Sequence, residues 1–118
     1  MRILIIDDNV ETTTMLSKFF KAKGFEIIVS NDLMEGVEKI RQDKYDVILL
    51  DVAMPIVSGI GVIELLATDG ILQDQNIFIF SGTYIPNIQV KNILRRDGVN
   101  GFLKKPIELD ELLTTITS

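Results

Sequence analysis

Five side chains in this sequence could do chemistry together: Asp7, Asp8, Asp51, Ser81 and Lys105. Each stands at the end of a short strand-like run. Ile3 to Ile6 leads into Asp7-Asp8-Asn9, Val47 to Leu50 into Asp51, Ile77 to Phe80 into Ser81-Gly82, and Gly101 to Lys104 into Lys105-Pro106. The chain has no cysteine and no histidine, so it offers no thiol nucleophile, no thiolate metal site and no imidazole base. Chemistry must rest on carboxylates, a hydroxyl, a lysine and a hard cation. Oxygen-only ligands suit Mg²⁺, with Mn²⁺ as its substitute, rather than zinc or copper. Three carboxylates balanced by a dication and an ammonium can accept a further anion. Phosphorylation of Asp51 would make an acyl phosphate and add roughly one negative charge. Phosphoryl transfer asks mainly for alignment and charge stabilisation, which a metal and a lysine supply without a general base. Taken singly, each residue has a plainer role: Asp7 and Asp8 as helix caps, Asp51 as a strand terminator, Ser81 as a loop residue, Lys105 as a solvated charge. Their coincidence at the ends of four strand-like runs favours a site.

The elements that would bring them together are legible as alternating strands and helices. After the first run, Asn9 or Asp8 can cap a helix carrying Leu16, Phe19 and Phe20, closed by Lys23-Gly24. Phe25 to Val29 is a second strand, followed by Asn31 or Asp32 as a cap and a helix with Leu33, Val37 and Ile40 on one face. The third strand, Val47 to Leu50, is a continuous apolar run of the kind a parallel sheet buries on both faces. Met54-Pro55 and Ser58-Gly59 then lead into a helix marked by Ile60, Ile63 and Leu66, ending near Thr68-Asp69-Gly70. After Ile77 to Phe80, a loop with Pro86 precedes a helix with Val90, Ile93 and Leu94 on its apolar face, ending at Asp97-Gly98. Gly101 to Lys104 is the fifth strand, and Leu109, Leu112, Leu113 and Ile116 form the last helical face.

Five strand–helix repeats with short connections imply an α/β fold: a five-stranded parallel sheet with helices on both faces, doubly wound. The runs beginning at 3, 47 and 77 are uniformly apolar and belong in the middle, while those at 25 and 101 carry charge, read as shorter, and belong at the edges. Order 2-1-3-4-5, the flavodoxin-like order, satisfies this and puts the topological switch between the strands ending in Asp7-Asp8 and in Asp51. Ligands bind at that edge in open parallel sheets.

The 118 residues read as one domain, 1–118, with 47% hydrophobic and 25% charged residues, the composition of an ordinary globular protein. A formal net charge of -5 argues against direct binding of nucleic acid or an anionic membrane surface. The sequence carries no apolar run of membrane-spanning length and no signal-like start, which points to the cytoplasm.

The motifs IIDDN at 5 to 9, LLDVAMP at 49 to 55 with Gly59, FSG at 80 to 82 and GFLKKP at 101 to 106 resemble, across the whole chain, the receiver domain of two-component response regulators, of the single-domain chemotaxis type. The resemblance implies a stand-alone receiver without an output domain. It implies Asp51 as phosphoacceptor, Asp8 as a direct Mg²⁺ ligand, Asp7 as a ligand through water, and the backbone carbonyl of Ala53 as a third protein ligand. Ser81 would hydrogen-bond the phosphoryl group and Lys105 would pair with it, with a cis Lys105-Pro106 peptide. Ser81 and Phe102 would form the switch, reshaping the face of the fourth helix, fifth strand and fifth helix. Phe102 lacks the phenol oxygen of a tyrosine, so packing alone would bias it. Ser81 replaces the commoner threonine. The loop with Thr83, Tyr84, Ile85 and Pro86 reads as longer than usual, and the methyl of Ala53 cannot orient an attacking water. The expected donor is a phosphohistidine on a sensor kinase or phosphotransfer protein, and the expected output is binding to a downstream protein. The chain would be a monomer, with phosphorylation-dependent dimerisation through the fourth and fifth helices left open. It would catalyse its own phosphorylation and dephosphorylation as a signalling switch, not as a metabolic enzyme. Three other readings compete. One is a pseudo-receiver that acts only as a scaffold. A second is an aspartyl-nucleophile hydrolase, which would want a carboxylate where Ala53 stands. The third is a flavodoxin-like cofactor binder, which would want a glycine- and hydroxyl-rich phosphate cradle.

Overall fold

A computed structural model describes residues 1–51, 59–82, 87–106 and 108–117 of the chain. Met54, Pro55, Ser58 and the residues Thr83 to Pro86 lie outside the described residues, as do Ala53 and the side chain of Ile60. The strands are β1 (Arg2–Ile6), β2 (Glu26–Ser30), β3 (Val47–Asp51), β4 (Ile77–Ser81) and β5 (Val99–Lys104). They alternate with α1 (Val10–Ala22), α2 (Leu33–Gln42), α3 (Gly59–Thr68), α4 (Asn87–Leu94) and α5 (Leu109–Thr117). A 3₁₀ turn at Leu72–Asp74, unmarked in the sequence pattern, precedes β4 and buries Leu72.

All strand pairs are parallel and the order is β2-β1-β3-β4-β5. The order follows from burial. β1, β3 and β4 each present at least four consecutive buried residues, while β2 and β5 are mostly part-exposed and can bear an edge. Length does not separate them: β2 has 5 residues, like the central strands, and β5 with 6 is the longest. The expectation of shorter edges is therefore corrected. Val99 and Asn100 extend β5 because Ile77 pairs with Val99 across a local irregularity in register.

Alternation along the strands sorts the core into two layers. Ile3, Ile5, Val47, Leu49, Phe78 and Phe80 pack under α1 and α5, against Leu16, Phe20, Leu112 and Ile116. Leu4, Ile6, Ile48, Leu50, Ile77 and Ile79 pack under α2, α3 and α4, against Val37, Ile40, Ile63, Leu66 and Ile93. In α4 only Ile93 is buried. Val90 is half-buried, and Leu94, expected on the apolar face, is 40% exposed, because the helix stops there and turns its last side chain outward.

Local signals set the element ends. Asn9 Oδ1 accepts from Thr12 N at 3.1 Å to cap α1, and Asp32 Oδ1 accepts from Met34 N at 2.9 Å to cap α2. Gly98 has φ +99 at the entry to β5, and a Cβ there would lie 1.9 Å from the carbonyl oxygen of Leu72. Only glycine fits, because the turn needs a left-handed backbone pressed against another chain segment. Gly36 lets α2 settle on Ile6, the residue before Asp7: a Cβ would meet Ile6 Cδ1 at 2.7 Å.

Candidate active site

Parallel pairing brings the carboxyl ends of β1, β3, β4 and β5 to one edge of the sheet, and with them four of the five residues chosen from sequence into measured proximity. One carboxylate oxygen each from Asp7, Asp8 and Asp51 can be chosen so that all three lie within 4.8 Å of one another. Lys105 Nζ donates to Asp7 Oδ2 at 2.8 Å and, more weakly, to Asp51 Oδ2 at 3.4 Å. The fifth, Ser81, is fully buried at the end of β4, and its carbonyl oxygen accepts from Lys105 N at 2.8 Å, tying the two strand ends together. The Lys105-Pro106 peptide is cis.

The burial of the acidic residues differs. Asp7 is 0% and Asp51 5% exposed, whereas Asp8 faces solvent. Asp7 is consumed by structure on every side. Its N–H donates to Ser30 O at 3.1 Å, its Oδ1 accepts from Asn9 N at 3.0 Å, its Oδ2 accepts from Lys105, and its carbonyl accepts from Asn31 Nδ2 at 2.8 Å. The ammonium of Lys105 also stands 4.6 Å from the centroid of the Phe80 ring, a favourable cation–π position. Aromatic face and two carboxylates thus hold it from different sides.

One ammonium among three clustered carboxylates leaves negative charge uncompensated, and like charges taken out of water repel strongly. The donors are all oxygen, one residue is open to solvent and two are buried, which matches what a hard dication that keeps part of its water shell requires. The residues present therefore fit magnesium or manganese. Ala53, expected to add a carbonyl ligand, lies outside the described residues, as does Thr83.

Phe102 pairs in register with Ile79, two residues before Ser81, and is half-buried against the α2–α3–α4 layer. By strand alternation it shares a face with Ser81. Lys104, the last residue of β5, is exposed. Sequence reasoning missed three contributors: Asn9 as a donor to Asp7, Phe80 as the ring under Lys105, and Asn31 as the clamp on the Asp7 carbonyl. A cap residue directly after an acidic pair was a usable signal for the first. The other two depend on register between strands.

Among the described residues, no helix is long and apolar enough to cross a membrane. Comparison with known proteins gives a consistent answer. The family described as response regulator receiver domain matches residues 3–117. The cell cycle transcriptional regulator CtrA of Caulobacter vibrioides is 32% identical over 116 residues, covering 98% of this chain and 48% of that protein. The polar-differentiation response regulator DivK of Brucella anthropi is 27% identical, covering 98% of this chain and 93% of its own length. In three dimensions the chain is similar to the chemotaxis protein CheY4 of Vibrio cholerae, with a TM-score of 0.84, 25% identity and coverage of 98% and 95%. The chain spans about half the length of CtrA and a smaller share of several other curated relatives.

Proposed function

The chain belongs to the response regulator receiver domain family of two-component signalling, and from that premise we propose that it is a phosphoacceptor switch in which Asp51 takes a phosphoryl group from a phosphohistidine. The observation that carries this reading is the placement of Lys105 between Asp7 and Asp51, with Asp8 completing the acidic cluster. Three carboxylates clustered at a strand edge, two of them buried, favour this reading over a scaffold that never meets phosphate.

In the proposed reaction an Asp51 carboxylate oxygen attacks phosphorus, the phosphorus–nitrogen bond to the donor imidazole breaks, and that nitrogen keeps the electron pair. The product is an acyl phosphate. Asp8, Asp51 and the carbonyl of Ala53 would hold magnesium directly and Asp7 through water; bound there, the ion supplies charge neutralisation and orientation of the phosphoryl oxygens. That both oxygens of Asp7 already accept hydrogen bonds is in keeping with its indirect role. Lys105 would swing its weaker contact from Asp51 to a phosphoryl oxygen while Asp7 and Phe80 keep the ammonium in place. The Ser81 hydroxyl would donate to another phosphoryl oxygen. Its movement leaves room for Phe102 on the same face, and the surface of α4, β5 and α5 changes shape. With phenylalanine at 102, packing alone sets the bias of that change.

The donor is then a sensor histidine kinase or phosphotransfer protein, and the output, within these residues, is altered binding to a downstream protein in the cytoplasm. Incubation with acetyl phosphate or phosphoramidate and Mg²⁺ should add the mass of one phosphoryl group, and Asp51→Asn should abolish it. A wild-type protein that stays unmodified by both donors at saturating Mg²⁺ would transfer the assignment to a scaffold of the same fold.

A further inference from the structure

In a parallel ladder evenly spaced, slanted bonds from alternate residues continue along the strands until the chains diverge. β1 and β2 pair from Arg2↔Glu26 to Ile6↔Ser30, and the last backbone rung runs from Asp7 N to Ser30 O at 3.1 Å. The next rung would run from Asp32 N to the carbonyl of Asp7. It is not made, because Asp32 N turns back to Ser30 Oγ at 3.4 Å, while Ser30 Oγ donates to Asp32 O at 2.6 Å. The side chain of Asn31 takes the vacant place. Its Nδ2 donates one hydrogen to Asp7 O at 2.8 Å and the other to Thr13 Oγ1 at 3.0 Å. Thr13 is 2% exposed on α1, and its hydroxyl donates in turn to Val10 O at 3.1 Å.

We infer that Asn31, braced by Thr13, is a positioning residue for the metal site: by fixing the carbonyl of Asp7 it fixes the plane of the Asp7–Asp8 peptide and so the direction in which the solvent-facing carboxylate of Asp8 is presented. This rests on the reading of Asp8 as a metal ligand. Both hydrogens of one amide are used, one on the backbone of the acidic pair itself and the other on α1, the helix that follows the pair. Asn31 itself is exposed, so its replacement removes little packing. Groups that orient metal ligands through hydrogen bonds commonly change affinity by about ten- to a hundredfold when removed.

The test is Mn²⁺ affinity, by calorimetry and by the electron paramagnetic resonance signal of free Mn²⁺, together with the melting temperature of the metal-free protein. Asn31→Ala should weaken Mn²⁺ binding about tenfold, and Thr13→Val, which removes the brace but leaves the clamp, should weaken it less. The control is Asp32→Ala, which loses the α2 cap at Met34 N in the same turn but has no side-chain bond to Asp7. It should lower the melting temperature and leave Mn²⁺ affinity within about twofold of wild type. Equal weakening by Asn31→Ala and Asp32→Ala would make Asn31 an ordinary loop tie and overturn the inference, as would unchanged affinity in Asn31→Ala. Failure of the underlying reading looks different: wild type and Asp8→Asn would then bind Mn²⁺ equally poorly.

Discussion

The two ends of the sheet carry charge clusters of similar composition and opposite character. At the amino end Arg2 meets Glu26 at 2.6 Å and Asp43 at 2.9 Å, its backbone N–H donates to Asp46 at 2.6 Å, and its guanidinium lies 5.0 Å from the centroid of the Tyr45 ring. At the carboxyl end Lys105 meets Asp7 and Asp51 and stands over Phe80. Each is one cation, several carboxylates and an aromatic ring. The difference is water: the side chains of Glu26 and Asp43 are 62% and 54% exposed, those of Asp7 and Asp51 0% and 7%. Solvated pairs add little to stability, whereas a buried, unevenly balanced set is costly to the fold and can act on an incoming charge. Residue types alone therefore do not make a site; depth does.

Substitutions can break that contrast. The largest effect is expected at Asp51→Asn, with complete loss of phosphoryl uptake from acetyl phosphate in mass spectrometry. Next is Lys105→Ala, which strands the buried carboxylate of Asp7 without its cation. It should cost about 3 kcal/mol in urea unfolding, since removing one partner of a buried pair leaves an uncompensated charge. A cost no greater than that of Arg2→Ala would erase the distinction between the two ends. Asp8→Asn should act in the opposite sense: relieved of repulsion, the metal-free protein should melt higher than wild type. The rise in melting temperature that Mg²⁺ gives wild type, by binding the folded state, should vanish.

The amino end sharpens the comparison from the small side. A backbone hydrogen bond from Lys44 and then the side-chain bond from Arg2 hold the Asp43 carboxyl below its usual range, while Asp43 and Glu26 keep Arg2 more firmly protonated. A lowered folded-state value means that the contribution is present above the unfolded carboxylate range, near pH 4, and is lost as pH falls through the folded value. Asp43→Asn should therefore cost a small increment of stability at neutral pH, a difference that fades as pH falls below about 4. A loss at pH 7 as large as that of Lys105→Ala would mean that this exposed cluster does more than solvated pairs do.

Periodicity, apolar runs and turn residues are properties of neighbours along the chain, and they determined the five-fold strand–helix alternation, a capping residue within each of Asp8-Asn9 and Asn31-Asp32, and the acidic, hydroxyl and cationic residues at the strand ends. Uniform apolarity even gave the strand order, because only central strands are buried on both faces. What tertiary structure alone decided are relations across the sheet. The sequence offered Lys105 three carboxylates, and register together with the Phe80 ring gave its shorter bond to Asp7. Asn31 and Asp32 were equal as caps until Asp32 took α2 and left the Asn31 amide facing Asp7. Leu94 looked apolar and inward until α4 ended beneath it. Contacts between residues 98 positions apart, as Asp7 and Lys105 are, depend on how strands align, and no local pattern encodes that alignment.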